Sequence, residues 1–382
     1  MSASPEIPFN IPYVTGAELG AVGDAITRRT LHGDGYFTKR CQKHFVDTLS
    51  ADSAFLTGSC SLAMDMATLV ANIRAGDEVL VPNFTFVSTA QSVALRGAVP
   101  VFCDIRPDTL NLDEGRLEEA LTEKTKAILP IHYAGISAEM TAICQFAEKH
   151  GLMVIEDAAQ AIGCKYEEKP VGTYGDMSAF SFHATKNIQC GEGGMLVVNN
   201  PAYTNACAIA WEKGTDRREF LSGNVQKYQW QSLGNSFLAS ELTAAFLHAQ
   251  LESEAEINKS RRAIWQRYQD AFLPLSGKHG FQCPFVPDNV THNGHLYYLV
   301  LPDSHVRTAF ISHMAEHGIQ IVFHYTPLQE STGGRVYGRV GTDLNVSSDI
   351  PHRLVRLPLY PDLLPDMQDR VINSTIRFLE RL

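Results

Sequence analysis

Short apolar runs bounded by glycine or charged residues alternate, along this chain, with longer segments in which apolar residues recur every three to four positions. The first pattern is typical of buried strands and the second of amphipathic helices. A strand followed by a small-residue turn is predicted within residues 55–61. Further strands are predicted near residues 79–82, 99–104, 127–131, 152–155, 177–183, 195–198, 296–301 and 319–323. Helices are predicted at 16–29, 38–49 with Thr38 as N-cap, 62–72, 88–96, 141–150, 202–214, from within 233–241 onward, and up to about 272.

Strand and helix alternate regularly from residue 55 to residue 160. This order is typical of an α/β domain with a mostly parallel sheet, in which ligands bind at the carboxyl ends of the strands. No GxGxxG motif follows the first strand, which excludes a Rossmann dinucleotide site. We expect residues 1–255 to form a large domain and residues 256–382 to form a smaller C-terminal α/β domain that covers the site.

Composition narrows the class of protein further. The net charge of −10 argues against non-specific nucleic-acid binding, and no apolar stretch approaches the length of a membrane span. Eight cysteines without a CxxC pair fit a reducing compartment. Residues 1–6 have neither the basic nor the apolar region of a signal peptide. We therefore expect a cytoplasmic protein that binds neither nucleic acid nor membrane.

The candidate catalytic residues lie between positions 152 and 199. One apolar run ends at Asp157, a second leads to Lys186, and a glycine-rich hairpin at 191–194 follows. A pyridoxal phosphate (PLP) site uses such residues, because a lysine amine forms a Schiff base with the cofactor and an aspartate pairs with the pyridine nitrogen. Taken singly, however, an aspartate at a strand end usually caps a turn, and a lysine after a strand is usually solvated.

Together these segments resemble a known family. DAAQ (157–160), SFHATKN (181–187) and GEGG (191–194) are similar to the signature of DegT/StrS-type nucleotide-sugar aminotransferases, PLP enzymes of fold type I. The resemblance runs over nearly the whole chain. It is strongest to transaminases acting on dTDP-4-keto-6-deoxyglucose, because GDGYFTKRCQ (33–42) and FHYTPL (323–328) are similar to theirs. It also implies that residues 33–35 form a wall of the sugar site.

The resemblance implies specific residue roles. Lys186 would hold PLP and then move the proton, and Asp157 would pair with the pyridinium nitrogen. The other positions that match cofactor contacts of the family are Ser59, Cys60 and Ser181 at the phosphate, Phe86 on the ring face, Gln160 near the ring oxygen, and Asn235 and Ser236 from the partner subunit. The positions expected at the substrate are His183, His324 and Tyr325, with Lys227 and Tyr228 from the partner subunit.

The resemblance also implies a homodimer with shared active sites. The reaction that it implies is transfer of the amino group of glutamate to C4 of dTDP-4-keto-6-deoxyglucose. The alternative is amination at C3 of the isomeric 3-ketosugar. Two departures from many relatives concern the pocket: Ser236 stands where those relatives have asparagine, and Gln329 where they have histidine.

Other classes of protein remain as rivals. A non-catalytic relative would be expected to lack Lys186, and relatives that dehydrate the sugar have histidine in its place. A PLP lyase or decarboxylase would need an arginine for the substrate carboxylate, and the C-terminal region offers Arg335, Arg353 and Arg356. The histidines at 313, 317, 292 and 295 lack the third ligand of a metal site, so we expect them to be surface or capping residues and expect no metal.

Overall fold

The computed structural model describes residues 6–381. The expectation that residues 1–6 form no signal peptide therefore falls, except for Glu6, outside the described part of the chain. The strands are β1 Ser53–Thr57, β2 Glu78–Pro82, β3 Val99–Cys103, β4 Thr125–Ile128, β5 Met153–Asp157, β6 Lys165–Tyr166, β7 Lys169–Pro170, β8 Met177–Ser181, β9 Gly194–Val198, β10 Val290–Thr291, β11 Tyr297–Val300, β12 Arg339–Val340 and β13 Leu354–Leu357. The helices are α1 Glu18–Arg28, α2 Tyr36–Leu49, α3 Cys60–Val70, α4 Val87–Ala94, α5 Leu117–Ala120, α6 Met140–His150, α7 Thr204–Trp211, α8 Arg217–Leu221, α9 Glu241–Leu251, α10 Glu254–His279, α11 Ser304–Glu316, α12 Thr332–Tyr337, α13 Ile350–Arg353 and α14 Pro365–Leu379.

Eight strands form one central sheet in the order β1-β9-β8-β5-β4-β2-β3-β12. Only β9 runs antiparallel to its neighbours within this sheet, and all the other pairs are parallel. Most positions of the long strands are buried, and a separate apolar cluster packs on each face of the sheet. This is the mostly parallel α/β sheet that the alternating pattern predicted. Parallel pairing also brings the carboxyl ends of β5 and β8 side by side.

A third apolar cluster belongs to the C-terminal part of the chain. It is built from residues of α10, α11, α14 and the β11–β13 pair, with Trp265, Tyr268 and Tyr297 among its largest members. Strand β12 leaves this region and joins the edge of the central sheet beside β3. The division of the chain after residue 255 stays a prediction. Among the helices within residues 6–381, none combines the length and the apolar character that a membrane span requires.

Two places show contacts that the local pattern did not predict. Helix α9 begins only at Glu241, the last residue of the predicted starting segment 233–241, because Phe237 accepts a backbone hydrogen bond from Gly58 at 3.0 Å and the preceding segment lies extended beside β1. Residues 319–323 form no strand, only isolated bridges to Ile7 and Arg356. In both places the backbone partner comes from a segment distant in sequence. The local pattern of apolar residues cannot predict such a partner.

Thr38 is not the N-cap of α2, which begins two residues earlier at Tyr36. The carboxylate of Glu241 caps this helix instead. It accepts hydrogen bonds from the N–H groups of Gly35 (3.1 Å), Phe37 (2.8 Å) and Thr38 (2.9 Å), and from the Thr38 hydroxyl. Glu241 is buried, so the positive end of the α2 dipole faces this carboxylate without intervening water.

Candidate active site

A cavity of about 860 Å³ opens at the carboxyl ends of β5 and β8. Its walls come from the start of α3, the ends of these two strands, the loop after β8, the segment 322–325 and β13. Ten of the residues predicted for the site line this one cavity: Ser59, Cys60, Phe86, Asp157, Gln160, Ser181, His183, Lys186, His324 and Tyr325. The fold thus brings together positions as distant in the sequence as Ser59 and Tyr325.

Asp157 is the last residue of β5 and is 5% exposed. Its Oδ2 accepts a hydrogen bond from the Thr89 hydroxyl at 2.7 Å, and its Oδ1 accepts one from the N–H of Ala159 at 3.1 Å. The Thr89 hydroxyl in turn lies 2.9 Å from that of Thr85, and because its proton goes to Asp157, Thr85 is the donor to Thr89. These contacts fix the orientation of a carboxylate that accepts on both oxygens.

Lys186 lies in the turn after β8, where its backbone N–H donates to the carbonyl of His183 at 2.9 Å. Burial lowers the pKa of its amine below the ordinary value, although nearby Asp157 acts in the opposite direction. Among residues 6–381, no hydrogen bond or ion pair engages the Nζ atom. A desolvated amine without a carboxylate contact is suited to react as a nucleophile.

The N-terminus of α3 forms the opposite end of the cavity. Ser59 caps this helix through its hydroxyl, which accepts from the N–H of Leu62 at 3.2 Å. Gly194 packs so closely that a Cβ there would lie 2.4 Å from the backbone nitrogen of Cys60. The Ser61 hydroxyl is 2.6 Å from that of Ser88, and both residues line the cavity. Free N–H groups, a helix dipole and hydroxyls are the donors that a phosphate requires.

Aromatic side chains form the remaining wall. Phe86 is 53% exposed, and its ring centroid lies 6.1 Å from that of Tyr325. The Gln160 amide donates to the Tyr325 hydroxyl at 2.7 Å and accepts from the N–H of Ala134 at 2.7 Å. His324 stacks on Tyr325 with centroids 3.7 Å apart. The exposed face of Phe86 is therefore available to a planar ring bound in the cavity.

The expectation of a surface or capping histidine is wrong for His295, whereas His292 accepts a hydrogen bond from the backbone N–H of Gly294 at 3.1 Å, as a capping residue does. His295 lines the cavity, is 9% exposed, and lies with its Nδ1 2.9 Å from Oδ1 of Asn187, the residue after Lys186. Burial and the charges of Lys186 and Arg261 keep the pKa of His295 well below its ordinary value. His292 packs on Trp265 with ring centroids 4.3 Å apart, and burial lowers its pKa to about 4.

His313 and His317 lie at the end of α11, as expected for capping residues. Their rings are 4.3 Å apart, and His317 Nδ1 is 2.7 Å from the backbone carbonyl of His313.

Sequence reasoning missed Thr89, His295 and Arg261 as site residues, although it weighed Arg356 for a different class of enzyme. Thr89 lies in α4, Arg261 in α10 and His295 just before β11. Only the folded chain brings these three elements to the cavity, and no motif or spacing in the sequence marks them. Arg261 and Arg356 both line the cavity.

Four predicted residues do not line the cavity of their own chain. Lys227, Tyr228, Asn235 and Ser236 are exposed on the segment between α8 and α9. Their expected positions near a partner's site stay predictions. The loop at residues 33–35 likewise lies apart from this cavity among the described residues, packed against Glu241.

The residues of the cavity fit PLP. An amine without a hydrogen-bond partner among residues 6–381, a fixed carboxylate, a half-exposed aromatic face and a helix N-terminus with neighbouring hydroxyls surround one space. These groups match, in that order, the aldehyde, the pyridine nitrogen, the ring and the phosphate of the cofactor.

Comparisons with known proteins agree with this assignment. The family model described as the DegT/DnrJ/EryC1/StrS aminotransferase family matches residues 13–376. The chain is 33% identical over 376 residues to the spore coat polysaccharide biosynthesis protein SpsC of Bacillus subtilis, with 96% of each chain covered.

Solved structures are similar over almost the full length. The aminotransferase TlmJ from Streptoalloteichus hindustanus has a TM-score of 0.90 at 27% identity, with 98% of this chain and 99% of that chain covered. Spr1654 of Streptococcus pneumoniae in its PLP-form has a TM-score of 0.89 at 26% identity, with the same coverage. The predicted PLP fold type I class is confirmed.

Proposed function

The chain belongs to the DegT/DnrJ/EryC1/StrS aminotransferase family, and we propose that it transfers the amino group of glutamate to C4 of dTDP-4-keto-6-deoxyglucose. It is a PLP-dependent sugar aminotransferase. The proposed products are 2-oxoglutarate and a dTDP-4-amino-4,6-dideoxyhexose. The proposal thus concerns the donor, the nucleotide and the carbon that receives nitrogen.

One observation carries the proposal: Asp157 at the end of β5 and Lys186 in the turn after the adjacent β8 line the same 860 Å³ cavity. The choice of sugar is supported by the resemblance of residues 33–42 and 323–328 to transaminases that act on this ketosugar. His324 and Tyr325, from the second of these segments, lie in the cavity wall.

PLP, when bound, supplies an electron sink that stabilises negative charge on the carbon beside the transferred nitrogen. We assign to Lys186 the tasks of holding the cofactor and moving the proton between donor, cofactor and sugar. Asp157 stabilises a proton on the ring nitrogen, and Thr89 holds the Asp157 carboxylate in place. The turn that positions Lys186 is anchored by Asn187, whose amide donates to Asn258 at 2.8 Å.

The other assignments follow the family resemblance, and they are supported by the position of these residues in the cavity wall. Ser59, Cys60 and Ser181 bind the cofactor phosphate, and Phe86 packs on the ring. Gln160, already fixed by its two hydrogen bonds, lies near the ring oxygen. His183, His324 and Tyr325 contact the sugar, in our proposal. The remaining cofactor and substrate contacts are assigned to the partner subunit: Asn235, Ser236, Lys227 and Tyr228.

The reaction is tested by incubating the PLP-loaded enzyme with glutamate and each ketosugar separately, and by locating the new nitrogen with NMR. We expect nitrogen on C4 of the sugar and formation of 2-oxoglutarate. Turnover of the 3-keto isomer alone would contradict amination at C4 and support the alternative reaction at C3. The configuration of the product at C4 is read from the same spectra.

A further inference from the structure

The reacting amine of Lys186 depends on its backbone for its position. No hydrogen bond or ion pair among residues 6–381 holds Nζ, so the turn that carries this residue decides where its flexible side chain begins. The next residue, Asn187, is buried and ties the turn to segments that are distant in the sequence. The groups that orient Asn187 therefore also orient the start of the Lys186 side chain.

The hydrogen bonds of Asn187 can be followed from a backbone carbonyl. The carbonyl of Ile162 can only accept, and it takes a hydrogen bond from Nδ2 of Asn258 at 3.2 Å. The Oδ1 atom of Asn258 is therefore the acceptor for Asn187, whose Nδ2 donates to it at 2.8 Å. The same Nδ2 donates to the carbonyl of Asn293 at 3.1 Å. Both amide hydrogens of Asn187 are then used, and its Oδ1 atom is left as an acceptor.

His295 supplies the hydrogen for this acceptor. Its Nδ1 lies 2.9 Å from Oδ1 of Asn187, and a hydrogen bond to an amide oxygen requires a proton on Nδ1. Burial keeps the pKa of His295 well below its ordinary value, so its ring is neutral and Nε2 carries no proton. One tautomer of His295, with hydrogen on Nδ1 and none on Nε2, thus fits the network.

The backbone around His295 is held as firmly as its ring. Buried Arg261 donates from Nε to the carbonyl of Gly294 at 3.2 Å and from Nη2 to the carbonyl of His295 at 2.6 Å. Gly294 has a φ of +64°, and a Cβ there would lie 2.8 Å from the backbone of Arg261, so glycine is required. Asn293 donates to the carbonyl of Gln160 at 2.9 Å. This segment thus joins the loop after β5 to the turn after β8.

We propose that His295 is a positioning residue for the reaction: by donating from Nδ1 to Asn187, it fixes the place from which the Lys186 amine reaches the cofactor. The inference rests on the proposed role of Lys186 as the residue that holds PLP. A displacement of about 1 Å is enough to slow a reaction about 100-fold, so one hydrogen bond to the turn can have a large effect on rate.

Three substitutions separate the two ring nitrogens of His295. Asparagine places an N–H donor at the position of Nδ1, glutamine places its amide near the position of Nε2, and alanine provides neither. Covalent capture of PLP by cofactor-free protein is followed by absorbance, with neither glutamate nor sugar present. We expect His295→Ala and His295→Gln to capture PLP about 10- to 100-fold more slowly, and His295→Asn to remain within about threefold of wild type.

A double-mutant cycle tests whether the effect passes through Asn187. Asn187→Ala alone should slow capture, and adding His295→Ala should cause little further loss, because the hydrogen bond is already absent. Fully additive losses would contradict the inference. The matched control is His292→Ala, which removes a hydrogen bond to the N–H of Gly294 in the same segment without touching Asn187. This control should capture PLP at the wild-type rate.

The tautomer of His295 gives a readout that does not depend on the cofactor. In protein with isotope-labelled histidine, NMR correlates each ring nitrogen with the protons of its ring. The signals that disappear in His295→Asn belong to His295, and they should show Nδ1 protonated and Nε2 unprotonated. A proton on Nε2 alone would overturn the inference, because Nδ1 could then not donate to Asn187.

The kinetic outcomes are equally decisive. Unchanged capture in His295→Ala, equal slowing in His295→Ala and His295→Asn, or slowing of the same size in His292→Ala would each overturn the inference. Urea unfolding shows whether each variant is folded, and the asparagine and glutamine variants decide if the alanine variant is not. Borohydride fixation of PLP on a lysine other than Lys186 in wild-type protein would defeat the proposed role of that residue and the inference with it. Failure of either ketosugar to react would leave all these measurements unaffected.

Discussion

At the scale of single residues, desolvation of one amine sets the chemistry of the cavity. Covalent capture of an aldehyde requires a neutral amine, and the Lys186 pKa is lowered because the protonated form is disfavoured by burial. A lowered pKa means that the neutral form is already populated at a pH where an exposed lysine is fully protonated. The same burial penalises any cation placed there without a compensating anion.

We predict that Lys186 captures PLP with a pH dependence displaced to the acidic side of an ordinary lysine. The rate of covalent capture by cofactor-free protein should rise with pH and reach its midpoint below the usual lysine value of about 10.4. Borohydride should then fix the cofactor on a peptide that contains Lys186, and Lys186→Ala should abolish fixation. Fixation on a different lysine would assign the cofactor elsewhere. Exposed Lys165→Ala serves as the control.

Asp157→Asn should retain the fold and lose several orders of magnitude in turnover. The asparagine carbonyl still accepts from Ala159, and the Thr89 hydroxyl can rotate to accept from the new amide group. The neutral amide, however, does not stabilise a protonated pyridine nitrogen, so the cofactor loses its capacity as an electron sink. Single-turnover kinetics with glutamate measure the effect. Near-normal turnover with bound PLP would place the partner of the ring nitrogen elsewhere.

The sequence predicted those parts of the site that are local in the chain. Asp157 and Lys186 follow strands whose apolar pattern is clear, so their position at one sheet edge was foreseeable. Thr89, Arg261 and His295 come from other elements and reach the cavity only through tertiary packing. The family resemblance supplied the cofactor and the residue roles, which spacing alone did not determine.

At the scale of elements, the junction between α2 and α9 depends on one buried carboxylate. Glu241 is the first residue of α9, yet its side chain accepts hydrogen bonds from the backbone at the start of α2. A Cβ at position 35 would lie 2.5 Å from Cδ of Glu241, so glycine is required for this close approach. The motif at residues 33–42 is thereby held to α9 rather than exposed as a free turn.

Glu241→Ala should destabilise the protein by about 3 kcal/mol, because the N–H groups of Gly35, Phe37 and Thr38 lose their acceptor inside the protein. Glu241→Gln should cost less, since it retains one acceptor oxygen. Urea unfolding measures both variants. Exposed Glu256→Gln, in the first turn of α10, should change stability by at most about 0.5 kcal/mol. An equal effect of the Glu241 and Glu256 substitutions would contradict the capping role.

Element boundaries show where local pattern is insufficient. The pattern predicted a start of α9 somewhere within residues 233–241, and hydrogen bonds with Gly58 and Ala210 hold residues 235–237 extended, so that the helix begins only at Glu241. Thr38 has a capping side chain, yet Glu241 provides a better acceptor from 203 residues away. In each case a contact distant in sequence outweighed a local preference, whereas the long strands and helices, whose periodicity is strong, lie close to their predicted positions.

At the scale of the whole molecule, the net charge bears on how ligands are attracted, and the exposed apolar surface bears on how the chain associates. The chain is acidic overall, so anionic ligands are attracted by local donors such as the N-terminus of α3 and not by the mean field. The segment between α8 and α9 carries large apolar residues in water, with Trp230 77% exposed and Leu233 66% exposed. Exposed apolar residues beside polar ones are typical of a surface that a second protein covers.

We predict a homodimer in which this segment completes the site of the partner. Lys227, Tyr228, Asn235 and Ser236 are exposed and lie outside the cavity of their own chain, although the family resemblance places them at substrate and cofactor phosphate. Sedimentation should give twice the mass of the 42.2 kDa chain. Lys186→Ala protein and Lys227→Ala/Ser236→Ala protein should each be strongly impaired as separate homodimers.

Mixing these two proteins under conditions of subunit exchange should restore about a quarter of wild-type activity. Random pairing makes half of the dimers mixed, and each mixed dimer has one intact site, formed by Lys186 of one protomer and the unmodified segment of the other. The matched control mixes Lys186→Ala protein with a Lys186→Ala/Lys227→Ala/Ser236→Ala protein, in which no intact site can form. A fully active monomer in sedimentation, or no gain in activity above the control despite proven exchange, would show that each chain builds its site alone.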